Sequence, residues 1–389
     1  MTDSKTKKAS AKRGDETELD ETAGFVSSSA TSTATATPDS QGSSDKGKKT
    51  EGVLYLGIDF GTSRSSVAGS NGVRETISSF VGYPKDVVSR KLLKKDVLFG
   101  DEAMEKRLSL NFFRPLEVLK TKEAKGQEFD SNLKAAQDLL KEIIRLAKPR
   151  KDELIYGVIG VPAQASIHSK DSIIKTAKEA LDSVMLCSEP FSVAYGLDML
   201  DDVLVIDIGA GTTDLCRMHG TMPEESDQIT IHHAGDWVDH KFAEHLVERY
   251  PEAQFTIQMV KAIKERFSSV AEKVEPAIAN LPVNGKPTEF DVTKELRDAC
   301  QGIVGPIVEG LKKLVATFDP EFQERLKNRV LLAGGGSQIK ALDLAIEREM
   351  HKQLGGGKVM RTEEPVYGGA NGALKIAHDM PAEYWEKLK

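Results

Sequence analysis

Val53-Leu54-Tyr55-Leu56-Gly57-Ile58-Asp59-Phe60-Gly61-Thr62-Ser63 is the first apolar stretch of a 389-residue chain. The run up to Ile58 is apolar, and Asp59, Gly61 and two hydroxyl residues end it. That pattern predicts a buried strand entering a tight turn. The same pattern returns at Val203-Leu204-Val205-Ile206-Asp207-Ile208-Gly209-Ala210-Gly211-Thr212-Thr213-Asp214. Two such units in one chain predict two related lobes rather than one enlarged domain.

Turns of this composition have a definite chemistry. A strand end followed by Gly and small hydroxyl residues presents several backbone N–H groups on one side, and such a nest attracts phosphate oxygens. Gly61, Gly209 and Gly211 let the backbone come close, while Thr62, Ser63, Thr212 and Thr213 can add hydroxyl donors. Asp59 and Asp207 end the two strands, where an uncompensated carboxylate is costly. A hydrated magnesium ion held against a nucleotide's phosphates would compensate both. Opposed turns from two lobes could therefore grip a triphosphate from either side.

Outward from these units, Asp101 to Arg107 and Asn132 to Lys148 read as helices, and Glu153 to Pro162 as another buried strand. Asp239 to Arg249 and Val260 to Lys273 read as amphipathic helices, and Val330 to Ala333 as a strand stopped by Gly334-Gly335-Gly336-Ser337. Strands alternating with helices imply α/β lobes with covered central sheets. The expected division is a disordered polar tail at 1–51 and a first lobe at 52–200, to which residues 365–389 return. A second lobe spans 201–364 and contains a smaller subdomain at about 241–304.

Composition narrows the classes. The chain is 39% hydrophobic and 29% charged, with a formal net charge of -7, so it carries no broad basic footprint for nucleic acid. No apolar run approaches the roughly 18 residues of a membrane span, and the first residues hold no secretory signal, so a cytoplasmic address without membrane insertion is expected. Cys187, Cys216 and Cys300 are far apart and predict buried, reduced thiols. Gly42 to Lys48 imitates a P-loop, but Lys49 stands where a Ser or Thr should meet the metal and no strand precedes it. His232, His233, His240 and His245 lack the spacing of a metal site. Lys91, Lys94 and Lys95 read as a solvated face, and Gly355-Gly356-Gly357-Lys358 as a connector.

In this order and spacing, the motifs resemble the actin, Hsp70 and sugar-kinase superfamily. Residues 59–63 and 207–214 are similar to its two phosphate motifs. Ile263-Lys264-Glu265-Arg266-Phe267 resembles the helix whose Lys and Glu hold ribose and adenine in actins, and 333–337 the adenosine motif. Ser188-Glu189-Pro190-Phe191 resembles the connecting segment of bacterial actins, whose Glu lies near the attacking water. Residues 81–87, 99–103 and 381–385 narrow the likeness to the MamK family of magnetosome-associated bacterial actins.

The resemblance implies an actin-like two-lobed ATPase fold, α/β in class and built from duplicated RNase H-like domains. It implies ATP hydrolysis to ADP with Mg2+, self-association into cytoplasmic filaments, and a part in positioning magnetosomes, with magnetosome-associated proteins as further partners. On that footing Asp59 and Asp207 would hold the metal, with Glu189 and Asp207 catalytic. Gly61, Thr62, Ser63, Gly209, Gly211, Thr212 and Thr213 would bind phosphates, and Lys264, Glu265, Gly334, Gly335, Gly336 and Ser337 the nucleoside. A small-molecule kinase for a sugar or acid and a non-polymerising adaptor stay open on the same fold. A chaperone-type ATPase fits poorly, because little sequence follows the last predicted helix.

Overall fold

The computed structural model describes residues 52–119 and 126–388. The expected tail at 1–51 and the P-loop-like run Gly42 to Lys48 lie outside them. Five strands, β1 (Val53–Phe60), β2 (Arg64–Gly69), β3 (Arg74–Ser78), β7 (Leu154–Val161) and β8 (Ser183–Ser188), form one sheet in the order β3-β2-β1-β7-β8. The intervening β4 (Val81–Pro84), β5 (Leu98–Phe99) and β6 (Leu110–Phe113) make a small separate sheet. A second five-stranded sheet contains β9 (Val203–Ile208), β10 (Thr213–Met218), β11 (Gln228–Ile231), β14 (Val330–Ala333) and β15 (Val359–Arg361), ordered β11-β10-β9-β14-β15. Between them in sequence, β12 (Ile278–Val283) and β13 (Lys286–Asp291) form a hairpin.

The two large sheets share one topology. In each, the first three strands are antiparallel neighbours and the last two add parallel to the central strand. Asp59, one residue from the end of β1, pairs with Ser66 and Gly160. Asp207, one residue from the end of β9, pairs with Asp214 and Ala333. The duplication expected from the sequence is thus present down to the register of its acidic residues.

Period-two alternation explains why β1 is central. Leu54, Leu56, Ile58 and Phe60 join one core with Ala135, Leu139, Leu140 and Ile143 of the helix Gln127–Leu146. Val53 and Tyr55 face the opposite way, toward Ala373, Ile376 and Trp385. Each buried Leu or Ile contributes about 1.5–3 kcal/mol. Val203 and Val205 of β9 enter that second cluster too, so the inner faces of both sheets share one core. The helix Gly368–Asp379 can press on β1 because residue 57 is glycine: a Cβ there would meet the Ala370 carbonyl oxygen at 2.1 Å.

The helices read from Asp101, Asn132 and Asp239 run Gly100–Glu105, Gln127–Leu146 and Gly235–Arg249, and a fourth differs most at its end. The helix read as Val260 to Lys273 runs Ile257–Phe267, capped at its start by the Thr256 side chain. It stops because Ser268 turns extended and the next residues pair with another segment: Lys340 N–H donates to Ser268 O and Val270 N–H to Lys340 O. Those backbone bonds outcompete the helical ones the sequence would otherwise allow.

Candidate nucleotide site

The two Asp-bearing turns open onto one cavity of about 340 Å³. The turn after β1 brings Asp59, Gly61, Thr62 and Ser63 to it, and the turn after β9 brings Asp207, Gly209, Gly211 and Thr212. They are close enough to touch, since a Cβ on Gly211 would stand 3.1 Å from Thr62 Oγ1. The β14 end supplies Gly334, Gly335 and Gly336. Gly334 has a φ of 76° and a Cβ there would sit 2.2 Å from Asp207 Oδ1, so its glycine keeps that carboxylate accessible.

Glu189, the first residue of the helix Glu189–Gly196, is buried and lines the same cavity. Behind it lies Asp214, whose Oδ1 accepts from Ala163 N–H at 2.8 Å and from the Thr230 hydroxyl at 2.5 Å. Burial, and then the negative charge of Glu189, push the Asp214 carboxyl up to about 6.

The helix Ile257–Phe267 forms another wall with Lys261, Lys264 and Glu265. Lys264 Nζ lies 2.8 Å from Asp239 Oδ1 and donates to Gly235 O, also at 2.8 Å. Lys261, not singled out from the sequence, donates from Nζ to Ser63 Oγ across the cavity. Asp236, which lines the cavity, is paired with Arg114 at 3.0 Å. The spacing of Lys261 and Lys264 on one helix face was the available signal.

Two of the expected residues do not line the cavity. Thr213 is the first residue of β10 and points away from Thr212, so its hydroxyl donates to His233 O at 2.8 Å and does not line the cavity. Ser337 lies in a short 3-10 turn whose curl returns its hydroxyl to Gly334 O at 2.7 Å, and it too is absent from the lining.

Among the described residues, no group of three or more His, Cys, Asp or Glu could hold a metal by itself. A cation at Asp59 and Asp207 would therefore take its other ligands from water or phosphate oxygens, which is magnesium's habit. The three cysteines are buried and free. No helix among the described residues is long and apolar enough to cross a membrane.

A family model described as MreB/Mbl protein matches residues 129–383. The chain belongs to the MreB/Mbl family. It is 39% identical over 337 residues to the actin-like protein MamK of Paramagnetospirillum magneticum, covering 86% of this chain and 95% of that protein. The MamK double helical filament structure aligns with a TM-score of 0.80 at 37% identity, over 84% of this chain and 99% of that one. A non-polymerising point mutant of MamK bound to AMPPNP aligns with a TM-score of 0.64 at 37% identity, with the same coverages. This MreB/Mbl member is accordingly MamK-like, and its fold is the actin-like one that the sequence resemblance implied.

Proposed function

We propose that the chain is an ATP-hydrolysing cytoskeletal protein that assembles with ATP into cytoplasmic filaments and organises magnetosomes. The observation that carries this reading is the meeting of the Asp59 and Asp207 turns on one cavity. Assembly and magnetosome work rest on likeness to the MamK proteins.

Phosphoryl transfer needs placement and charge neutralisation more than covalent help. The N–H groups and hydroxyls of 61–63 and 209–212 hold the phosphates. Asp59 and Asp207 would hold magnesium and its waters, and Asp207 would lie beside the attacking water. When bound, that ion neutralises phosphate charge. Glu189 orients the water and takes its proton, a task that needs a carboxylate within hydrogen-bond reach. Lys264, Glu265 and the Gly334 to Gly336 backbone hold the nucleoside. In the proposed domain division, residues 52–200 with 365–389 form one lobe and 201–364 the other, and nucleotide state sets how they close.

A head-to-tail contact that does not form a ring extends into a filament. Sedimentation and light scattering with ATP and magnesium, followed by phosphate release, test the reading. Polymer and slow phosphate release are expected. Protein that stays monomeric at every concentration refutes assembly, and phosphate release driven only by an added sugar or acid points to the kinase alternative.

A further inference from the structure

The two lysines on the helix Ile257–Phe267 have different fates. Lys264 is neutralised by buried Asp239 at 2.8 Å. Lys261 is only 19% exposed, yet the nearest carboxylate among the described residues is Glu265 at 4.0 Å, half exposed and on the same helix. Its ammonium instead spans the cavity to a neutral hydroxyl, Ser63 Oγ. A desolvated cation answered by a hydroxyl is poorly compensated. Burial accordingly lowers the Lys261 pKa, with Lys264 and Arg114 adding to the effect and Glu265 and Asp236 opposing it.

Position along the helix says which anion would complete it. Downstream, Ser268 joins Lys340, next to the cavity-lining Ile339 and the Gly334 to Gly336 turn. That is the end proposed for the nucleoside. Lys261 lies seven residues upstream of Ser268, and its ammonium meets the turn after β1. The group that separates a triphosphate from a diphosphate is the phosphate farthest from the nucleoside.

We propose that Lys261 binds the terminal phosphate of a nucleoside triphosphate and, by reaching it from the far side of the cavity, couples that phosphate to closure. This rests on the nucleotide reading of the site. A lysine is suited to the role because its ammonium is a compact charge that turns from hydroxyl to phosphate without fixed geometry. A diphosphate leaves Lys261 on Ser63. The two nucleotides thereby favour different closures, as a switch requires.

The test is equilibrium titration of the full chain with AMPPNP and with ADP, each with magnesium, below the assembly concentration. Wild type is compared with Lys261→Gln and Lys261→Arg. In the Gln variant AMPPNP affinity should fall about tenfold or more while ADP affinity stays within about twofold, and the Arg variant should recover most of the loss. Equal loss for both nucleotides, or loss for neither, overturns the proposal. Wild-type protein that binds neither nucleotide overturns the nucleotide reading as well, and is told apart because the unmutated chain fails.

Discussion

Gly211 and Thr62 meet across the cavity: a methyl group at 211 would stand 3.1 Å from the Thr62 hydroxyl oxygen. The two residues follow different central strands, so their approach measures how far the two turns are closed. A larger side chain at 211 must push them apart. Overpacking costs about 1–3 kcal/mol. If that cost falls on the closed form alone, Gly211→Val lowers nucleotide affinity by about 5- to 150-fold. Fluorescent-nucleotide titration measures it, with thermal melting as the check on folding. Unchanged affinity would mean that nucleotide binds without the turns meeting.

Glu189 lies at the cavity while carrying no predicted part in holding phosphate. Glu189→Gln keeps the size and the hydrogen-bonding reach but removes the base. Phosphate release should slow by about 10²- to 10⁴-fold, while nucleotide-dependent sedimentation stays near wild type. Loss of nucleotide binding in this variant would contradict the role given to Glu189.

Much of this site was legible because its signals are local. An apolar run closed by Asp and Gly reads as a buried strand and its turn wherever it occurs, and both copies folded so. Thr213 lies outside the cavity lining for a reason that strand parity carries, since neighbours in extended chain point opposite ways and Thr212 has the cavity. Ser337 stays out of the lining because a hydroxyl in a tight turn satisfies its own backbone first. The end of the helix at Phe267 and the reach of Lys261 to Ser63 depend on partners distant in sequence, Lys340 in one case and the β1 turn in the other. No local pattern carries such information.

Val87, Val88 and Leu92 are 81%, 76% and 72% exposed on the helix Val87–Leu93, and Leu108 is 85% exposed. Lys85 ties the two places together, its Nζ donating to Leu108 O at 3.0 Å. A cluster of large apolar side chains on one small surface is a site for association. With a solved filament among the relatives, the proposed occupant is a second copy of this chain. Val88→Glu combined with Leu92→Glu should raise the critical concentration for assembly about tenfold or more and leave nucleotide affinity unchanged. Normal assembly by this variant would move the contact elsewhere.

Asp214 links stability to pH through a proton it holds when folded. Burial and the charge of Glu189 raise its carboxyl from the ordinary 3.8 to about 6. Between those values the folded chain binds more protons than the unfolded one, so stability falls as pH rises. The loss is absent below the unfolded value and complete above the folded one. A shift of about two units corresponds to roughly 3 kcal/mol. Asp214→Asn retains an oxygen for Ala163 N–H and the Thr230 hydroxyl but has nothing to titrate. Its stability relative to wild type should therefore improve by up to about 3 kcal/mol between pH 4 and pH 7. Urea midpoints at several pH values, with equal slopes required of both proteins, measure the difference. A difference that stays constant with pH would mean that Asp214 is ionised throughout, and that Glu189 bears its charge without raising its neighbour's.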